Sequence, residues 1–374
     1  MATSSSSSAS SSGTEKFDVK TTPFHLEIHP GQETLAIATV DGNVSLISAA
    51  KSDYTLGLKA SIKLHTDSCR MLCFDPKGDK LFTCGADCAI GVCDTRTAKA
   101  IGCNKTAHSV PINCIKEYDG KILVTGDDDG FVRGWDPRAG MKRTFSLEEH
   151  GDFVSDICCV EAQKTVLVTS GDGTLTTYDV RKGKALLMSD TLDDDLLSVV
   201  SIKDNTRVVC GSASGALEIF EWGMFGRPEE RYLGHPESVD TICAVDEATI
   251  CTGSSDGLIR IVSIQPNHLA GALGEHDGAI ECVRVSAHTD RVYSCGHDNL
   301  IRTWSLGDDE DDEDEKEKNG GRKRGAENEE DDDDDDDSDD SDEPPKKRQK
   351  KKKKKGKQSH SGKLSKKEVF FDGL

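Results

Sequence analysis

Residue types of a catalytic triad recur along this sequence at nearly constant spacing. Five histidines each precede an aspartate by 21 or 22 residues, and the pairs are His65 and Asp87, His108 and Asp129, His150 and Asp172, His235 and Asp256, and His276 and Asp298. Serine or threonine stands within several of these intervals. Histidine, aspartate and a hydroxyl group can together support nucleophilic catalysis. An enzyme needs one such site, however, so a group copied at regular intervals indicates a structural role in a repeating unit.

The repeat has the length of one propeller blade. Successive histidines are separated by 43, 42, 85 and 41 residues, which indicates a period of about 42 with one histidine missing. A strand position six residues after each turn extends the register to seven repeats, at Ile47, Cys93, Trp135, Tyr178, Phe220, Val262 and Trp304. Asp-Gly pairs such as Asp129-Gly130 favour hairpin turns, because glycine reaches positive φ at no steric cost. We therefore predict an all-β, seven-bladed β-propeller over residues 17–306.

The repeats resemble those of the WD-repeat family, which is named for the dipeptide found here at Trp135-Asp136. In that family a histidine, a strand serine or threonine, the turn aspartate and the strand tryptophan form a buried, hydrogen-bonded tetrad. The resemblance implies two complete tetrads here, one made of His108, Thr125, Asp129 and Trp135 and one made of His276, Ser294, Asp298 and Trp304. A buried carboxylate is costly unless it is paired, so these groups are expected to hold their blades together.

The seventh repeat ends at Trp304 and Ser305 without room for an outer strand. WD-repeat propellers usually take that strand from the N-terminus. The segment Phe17-Asp18-Val19-Lys20 has a suitable length and polarity pattern. We expect it to complete the seventh blade and so to remove two exposed sheet edges.

No motif indicates a cofactor or an active site. Neither common form of the glycine-rich phosphate loop is present. All 14 cysteines lie between Cys69 and Cys295, none in a Cys-x-x-Cys pair, so we expect small buried hydrophobic residues rather than zinc ligands. No secretory signal or apolar stretch of membrane-spanning length occurs. We predict a non-catalytic protein of a reducing compartment, with no cofactor, metal or membrane contact and with a monomeric propeller.

Charge is strongly segregated after the last repeat. The chain has 68 acidic and 47 basic residues, a net charge of −21. Residues 308–343 contain 23 acidic and 5 basic residues, whereas residues 344–374 contain 13 basic and 2 acidic ones. Blocks of like charge bury little apolar surface, so we expect disorder in the acidic segment 307–343 and the basic tail 344–374, as in the serine-rich residues 1–16. The repeat region is itself acidic, so a broad phosphate-binding face is not expected there.

The basic tail predicts a location. Lys346, Lys347, Arg348, Lys350 and Lys351 form a block typical of a nuclear localisation signal. Acidic and basic blocks in series also suit the nucleolus, with the cytoplasm as a further location, and the tail could contact RNA without sequence specificity. The alternative is a solvated tail that only aids solubility. Ser338 and Ser341 lie among aspartates and suit an acidophilic kinase.

Two spans resemble a 16-residue box that marks propellers docking onto the large damaged-DNA-binding adaptor of cullin-4 ubiquitin ligases. The box residues are Asp129, Trp135, Asp136 and Arg138 in 123–138, and Asp172, Tyr178, Asp179 and Arg181 in 166–181. A third span, 81–96, departs from the box because Cys93 takes the aromatic position. An exposed guanidinium suits a partner rich in carbonyls and carboxylates. The alternative is a local Asp-Arg pair that merely ends the strand.

Taken together, the seven repeats, the acidic and then basic tail and the final apolar segment around Phe370-Phe371 resemble the family of WD repeat-containing protein 55 and its yeast counterpart. The resemblance implies a nuclear and nucleolar scaffold that supports ribosomal RNA synthesis or processing, with ribosome-assembly factors among its protein partners. Plant members imply an alternative, a substrate receptor of a cullin-4 ligase with a developmental role. No motif names the client of the propeller.

Overall fold

The structure, a computed structural model, describes residues 15–49, 55–286 and 290–306. The predictions for the serine-rich N-terminus before Glu15, the acidic segment, the localisation signal, Ser338 and Ser341 lie outside these residues. The strands are β1 (Glu15–Asp18), β2 (Pro23–Ile28), β3 (Thr34–Thr39), β4 (Asn43–Ala49), β5 (Leu56–Lys63), β6 (Cys69–Phe74), β7 (Lys80–Gly85), β8 (Ile90–Asp94), β9 (Lys99–Asn104), β10 (Ile112–Tyr118), β11 (Ile122–Asp127), β12 (Phe131–Asp136), β13 (Lys142–Glu148), β14 (Val154–Val160), β15 (Thr165–Ser170), β16 (Leu175–Asp179), β17 (Lys184–Met188), β18 (Leu196–Ile202), β19 (Arg207–Ser212), β20 (Ala216–Glu221), β21 (Glu230–Leu233), β22 (Val239–Ala244), β23 (Thr249–Ser254), β24 (Leu258–Ser263), β25 (His268–Glu275), β26 (Ile280–Val285), β27 (Arg291–Gly296) and β28 (Leu300–Ser305).

These strands form seven antiparallel sheets of four strands, the blades of a propeller. Blades 1 to 6 each use four consecutive strands, from β2–β5 to β22–β25, and their first strands contact one another around the centre. The seven register positions all lie on third strands and are buried, at Ile47, Cys93, Trp135, Tyr178, Phe220, Val262 and Trp304. The predicted fold and its register are therefore confirmed.

The hydrophobic core is divided into seven clusters, and each joins two neighbouring blades. Phe82 of blade 2 packs in one cluster with Leu123 of blade 3, and Leu26 of blade 1 packs in another with Ile301 of blade 7. Full burial of each such side chain contributes roughly 1.5–3 kcal/mol. Each blade packs only against its two neighbours, so the ring is complete only when blade 7 also packs against blade 1.

The N-terminal strand closes the ring, as predicted. β1 pairs with β28 from Glu15 opposite Thr303 to Asp18 opposite Leu300. The strand begins at Glu15, two residues before the expected boundary, and ends at Asp18 rather than Lys20. It ends there because Lys20 adopts a left-handed conformation, with φ 73°, and its backbone N–H donates to Asp18 Oδ1 at 2.7 Å. Phe17 packs on the cluster that joins blades 7 and 1.

The cysteines behave mainly as core residues. All except Cys103 are buried or half-buried, and all 14 are free thiols. Burial raises the pKa of Cys93 and of Cys158 to about 11, so both thiols stay protonated at neutral pH. A protonated, buried thiol is a poor nucleophile and a poor metal ligand.

Deleting residues 1–21 should lower the melting temperature by about 10 °C or more, because β28 loses its partner strand and the Phe17 contact is lost. Deleting only residues 2–13 keeps β1 and is the matched control, with a melting temperature expected within about 2 °C of the full chain. Circular dichroism melts measure both. Equal melting curves for the long deletion and the full chain would contradict the role of β1.

Candidate functional site

The strand order sends two sets of loops to opposite ends of the propeller. Loops that join the fourth strand of one blade to the first strand of the next lie at the same end as loops that join second to third strands. We call this end the histidine face, because it holds the five repeat histidines. The loops between first and second strands and between third and fourth strands form the opposite face.

One complete tetrad lies under the histidine face in blade 7. His276 Nδ1 lies 2.9 Å from Asp298 Oδ1, and His276 Nε2 lies 2.7 Å from Ser294 Oγ. Trp304 Nε1 donates to the same Ser294 oxygen at 2.8 Å. The structure thus brings together the four residues that the sequence predicts for this blade.

Blade 3 also forms a tetrad, but with a different aspartate from the one predicted. His108 Nδ1 lies 2.6 Å from Asp127 Oδ2, and Nε2 lies 2.7 Å from Thr125 Oγ1, to which Trp135 Nε1 donates at 2.9 Å. Asp129 is exposed in the turn and makes no contact with His108. The reason is local: Asp127 ends β11, and its other oxygen accepts the backbone N–H groups of Asp129 and Phe131, so Asp127 organises the turn and pairs with the histidine.

Two further blades keep part of the arrangement. In blade 2, His65 lies 2.8 Å from both Asp87 and Thr83, but Cys93 stands where a tryptophan would bond. In blade 6, His235 Nε2 lies 2.8 Å from Thr252, whereas the aspartate of the turn pairs with an arginine of its own hairpin.

In blade 4 a tyrosine hydroxyl, rather than a serine or threonine hydroxyl, bonds to the histidine. The Tyr178 hydroxyl lies 3.1 Å from His150 Nε2, and His150 Nδ1 lies 3.0 Å from Thr174 Oγ1. Asp172 is more distant from this histidine, at 3.7 Å. The networks differ from blade to blade but occupy the same place, as expected for parts that hold blades together.

Burial removes these histidines from any chemistry with external molecules. The side chains of His65, His108, His150 and His276 are 0% exposed. Burial also lowers the pKa of His108, His150 and His276, although their aspartates oppose the shift. A neutral imidazole that is bonded on both sides and closed to solvent has no substrate to act on. The networks therefore serve the fold.

The histidine face is strongly acidic. Its basic loop residues among those described are Lys20 and Lys105 alone. Its acidic loop residues are Asp41, Asp67, Asp87, Asp128, Asp129, Glu149, Asp152, Asp172, Asp190, Asp193, Asp194, Asp195, Glu237, Asp256, Asp277 and Asp298. In the described loops of the opposite face, acidic and basic residues are almost equal in number. Four of these aspartates are paired with arginines from outside these loops: Asp128 with Arg70, Asp190 with Arg227, Asp256 with Arg260 and Asp298 with Arg302. The other acidic residues still leave the described loops of this face far more negative than those of the opposite face.

A cavity of about 460 Å³ opens within this acidic face. Asp128, Asp152 and Asp240 line it together with the apolar side chains of Phe153 and Leu197. Burial raises the pKa of Asp240, against hydrogen bonds from Ser255 and Ser238. A carboxylate that is partly desolvated gains more from a cationic neighbour than one in open water.

The cavity continues into the central channel, where a second cavity of about 370 Å³ shares Asp240 and Leu197 with the first. Charged residues of first strands form a belt in this channel. Glu27 Oε2 lies 3.5 Å from Lys116 Nζ and 3.4 Å from Arg284 Nε. Burial alone would raise the pKa of Glu27, but these two cations hold it below its usual value.

His25 completes the belt on the side of blade 1. Arg284 Nη2 lies 2.7 Å from His25 Nε2. Arginine only donates, so His25 Nε2 accepts and the proton of the neutral ring is on Nδ1. Burial, Arg284 and Lys116 all lower the pKa of His25, which keeps the ring neutral. Nδ1 has no hydrogen-bond partner among the described residues.

Comparison with known proteins identifies the family. The model of the WDR55 family matches residues 14–308. WD repeat-containing protein 55 of Mus musculus is 34% identical over 282 residues, covering 75% of this chain and 72% of the mouse protein. The chain belongs to the WD repeat-containing protein 55 family. Its Arabidopsis thaliana member is 32% identical over 294 residues, covering 78% of this chain and 82% of that protein. WD repeat-containing protein JIP5 of Coprinopsis cinerea is 33% identical over 297 residues, covering 76% and 72%.

In this family member the predicted adaptor boxes do not form one surface. Trp135 and Tyr178 are buried in their blades, while Asp129 and Asp172 lie in turns of the histidine face. The remaining box residues, Asp136, Arg138, Asp179 and Arg181, lie at the opposite face, where β12 and β16 end.

Both box arginines bond to their own aspartates. Arg138 holds Asp136 with two hydrogen bonds of 3.0 Å, which lower the pKa of Asp136 to about 2. Arg181 Nε lies 3.4 Å from Asp179, although its side chain is still 47% exposed. This geometry is that of the local alternative, so adaptor docking stays a prediction that rests on the boxes.

The part of the chain that the structure describes holds neither a metal-binding cluster nor a membrane-spanning helix. Among residues 15–49, 55–286 and 290–306, no group of three or more histidine, cysteine, aspartate or glutamate side chains is placed to hold a metal ion. No helix within the same ranges is long and apolar enough to cross a membrane.

The blade 3 tetrad gives a paired test. Asp127→Ala should destabilise the protein by about 3 kcal/mol, because it leaves His108 buried without its carboxylate. Asp129→Ala removes an equal charge two residues away and should cost less than about 0.5 kcal/mol. Urea denaturation measures both. A larger loss of stability for the Asp129 variant would instead indicate that Asp129, as the sequence predicts, is the partner of His108.

The pH dependence of stability tests the burial of His235. Burial, with Arg260 nearby, lowers the pKa of His235 to about 4, below the value of about 6.5 in an unfolded chain. The folded state therefore binds fewer protons than the unfolded state, so this stability is present above pH 6.5 and is lost as pH falls towards 4. Between pH 7 and pH 4.5, the free energy of unfolding of His235→Gln should therefore fall by about 2 kcal/mol less than that of the wild type. The exposed His268→Gln serves as control, and an unchanged slope for His235→Gln would contradict the assignment.

Proposed function

We propose that this protein is a non-catalytic nuclear and nucleolar scaffold that supports ribosomal RNA synthesis or processing, and through it ribosome biogenesis. The observation that carries the non-catalytic part is the burial of the repeated histidine networks, whose polar groups are engaged within the blades. What remains for function is the loop surface and the charged tail. Both are suited to binding other macromolecules.

Family membership supports the proposed role, because the resemblance to the WD repeat-containing protein 55 family implies ribosomal RNA production. The composition of the tail supports the location. Residues 346–355 contain nine lysines or arginines, which suits nuclear import. The same residues suit weak, salt-dependent contact with RNA phosphates.

Because the propeller is acidic and the tail is basic, the two parts of the chain suit different ligands. A surface rich in carboxylates repels nucleic acid, so RNA contact belongs to the tail, while the propeller binds proteins. Ribosome-assembly factors are the proposed partners. Attachment of a cullin-4 adaptor is not needed for this role.

The function is tested by depletion and rescue in cells of the source organism. Depletion should reduce pulse-labelling of mature ribosomal RNA at least about twofold, and the full chain should restore it. Lys346→Gln, Lys347→Gln and Arg348→Gln together should leave the protein largely cytoplasmic and fail to rescue. The matched control replaces Lys363, Lys366 and Lys367, the same number of charges outside the block, and should stay nuclear.

Two results would contradict the proposal. Normal ribosomal RNA labelling after complete depletion would remove the role in ribosome biogenesis. A triple variant that remains nuclear would show that the 346–348 block is not needed for import. Purification of the tagged full chain is expected to recover ribosome-assembly factors.

A further inference from the structure

The two faces of the propeller differ in charge although they belong to the same seven blades. Lys20 and Lys105 are the only lysines or arginines in the described loops of the histidine face, whereas the opposite face carries several, among them Arg138 and Arg181. Solubility alone would not require this separation. A one-sided field attracts ligands of opposite charge and raises their local concentration at that side.

The cavity at the centre of this face has walls of two kinds. Asp152 supplies a carboxylate at its rim, where Asp128 is already paired with Arg70 at 2.9 Å, and Asp240 supplies one deeper in. Phe153 and Leu197 supply apolar surface between them. Lysine and arginine side chains combine a cationic head with an apolar stem, so they match both kinds of wall.

A second observation lies deeper in the same channel. His25 lines the lower cavity, is 4% exposed, and has a protonated Nδ1 with no acceptor among the described residues. A buried donor without an acceptor is unfavourable, because it has lost its hydrogen bonds to water. This donor is suited to a carbonyl oxygen. A peptide is the ligand class that carries both cationic side chains and carbonyl acceptors.

We propose that the mouth of the channel on the histidine face binds an extended, lysine- and arginine-rich segment of a partner protein. Cationic side chains of the segment pair with Asp152 and Asp240 and share Asp128 with Arg70, and a backbone carbonyl accepts from His25 Nδ1. The inference deepens the proposed scaffold function and rests on it, because it names the class of partner that the propeller holds.

A partner segment fits better than the chain's own basic tail. Residues 344–374 follow the acidic segment 308–343, whose 23 acidic residues are closer along the chain and compete for the same lysines. Nucleic acid does not fit, because its phosphates would meet carboxylates at the rim. A basic segment of another protein meets neither obstacle.

Binding has to be measured at a residue of the channel itself, because the acidic segment 308–343 also attracts a cationic probe. The full chain is titrated with a short peptide of lysine, arginine and glycine, and binding is read from the imidazole ¹⁵N resonances of His25 by NMR. These resonances are assigned by their loss in His25→Gln. A saturable shift is expected with this peptide, and none with the same peptide carrying glutamine at every basic position.

Paired variants locate the site. Asp128→Asn with Asp152→Asn should weaken the interaction about tenfold, because two ion pairs at the rim are lost. Asp119→Asn with Asp204→Asn removes the same charge from the opposite face and should change the affinity less than about twofold. Circular dichroism melts confirm that both double variants remain folded.

Three results would overturn the proposal. An unmoved His25 resonance would exclude the channel, and equal effects of the two double variants would exclude the histidine face. A shift that develops only after the basic residues of 346–355 are replaced by glutamine would make the chain's own tail the occupant. None of these results bears on ribosomal RNA labelling, so the nucleolar role stands or falls separately.

Discussion

The pairing of β1 with β28 is the constraint on which the rest of the propeller depends. Every blade buries apolar side chains only against its two neighbours, so an open ring would leave the cluster between blades 7 and 1 poorly held. Closure also gives β28 a partner on both sides, and β1 takes its place as the outer edge of blade 7. A four-residue strand from one end of the chain therefore secures contacts made nearly three hundred residues away.

Closure also decides where function can lie. Once the ring is fixed, alternate loops of every blade point to the same end, and charges that are scattered along the sequence meet on one face. The histidine networks below that face are engaged in hydrogen bonds within the blades. The chemistry left for a partner is that of the loops and the channel, which are acidic at the mouth and mixed in charge below.

The fold could be predicted because its signals are periodic. Trp135 and Trp304 stand at equal offsets from their turns, and the equal offsets carry over to Ile47 and Val262, where no tryptophan marks the place. The choice between Asp127 and Asp129 could not be made this way. It depends on which carboxylate of an Asp-Asp-Asp-Gly turn can cap the turn and reach the histidine together, and spacing does not report that.

The candidate site was harder to predict for a related reason. Glu27, Lys116 and Arg284 are charged residues within largely apolar first strands, which is a signal of pairing, but the sequence does not say that three different blades bring them together. The acidic face is likewise assembled from loops of all seven blades, and its contrast with the opposite face exists only after the loops are sorted by end. Long-range topology, rather than local propensity, supplies this information.

Binding of cationic protein segments to the acidic face of the propeller is tested most directly by zero-length carbodiimide cross-linking of the native complex. This reagent joins a carboxylate to a lysine that touches it, and mass spectrometry then identifies both residues. We expect partner lysines to be linked to Asp128, Asp152 and neighbouring acidic residues of the histidine face. Links confined to Asp119, Asp204 and Asp246 of the opposite face would contradict it.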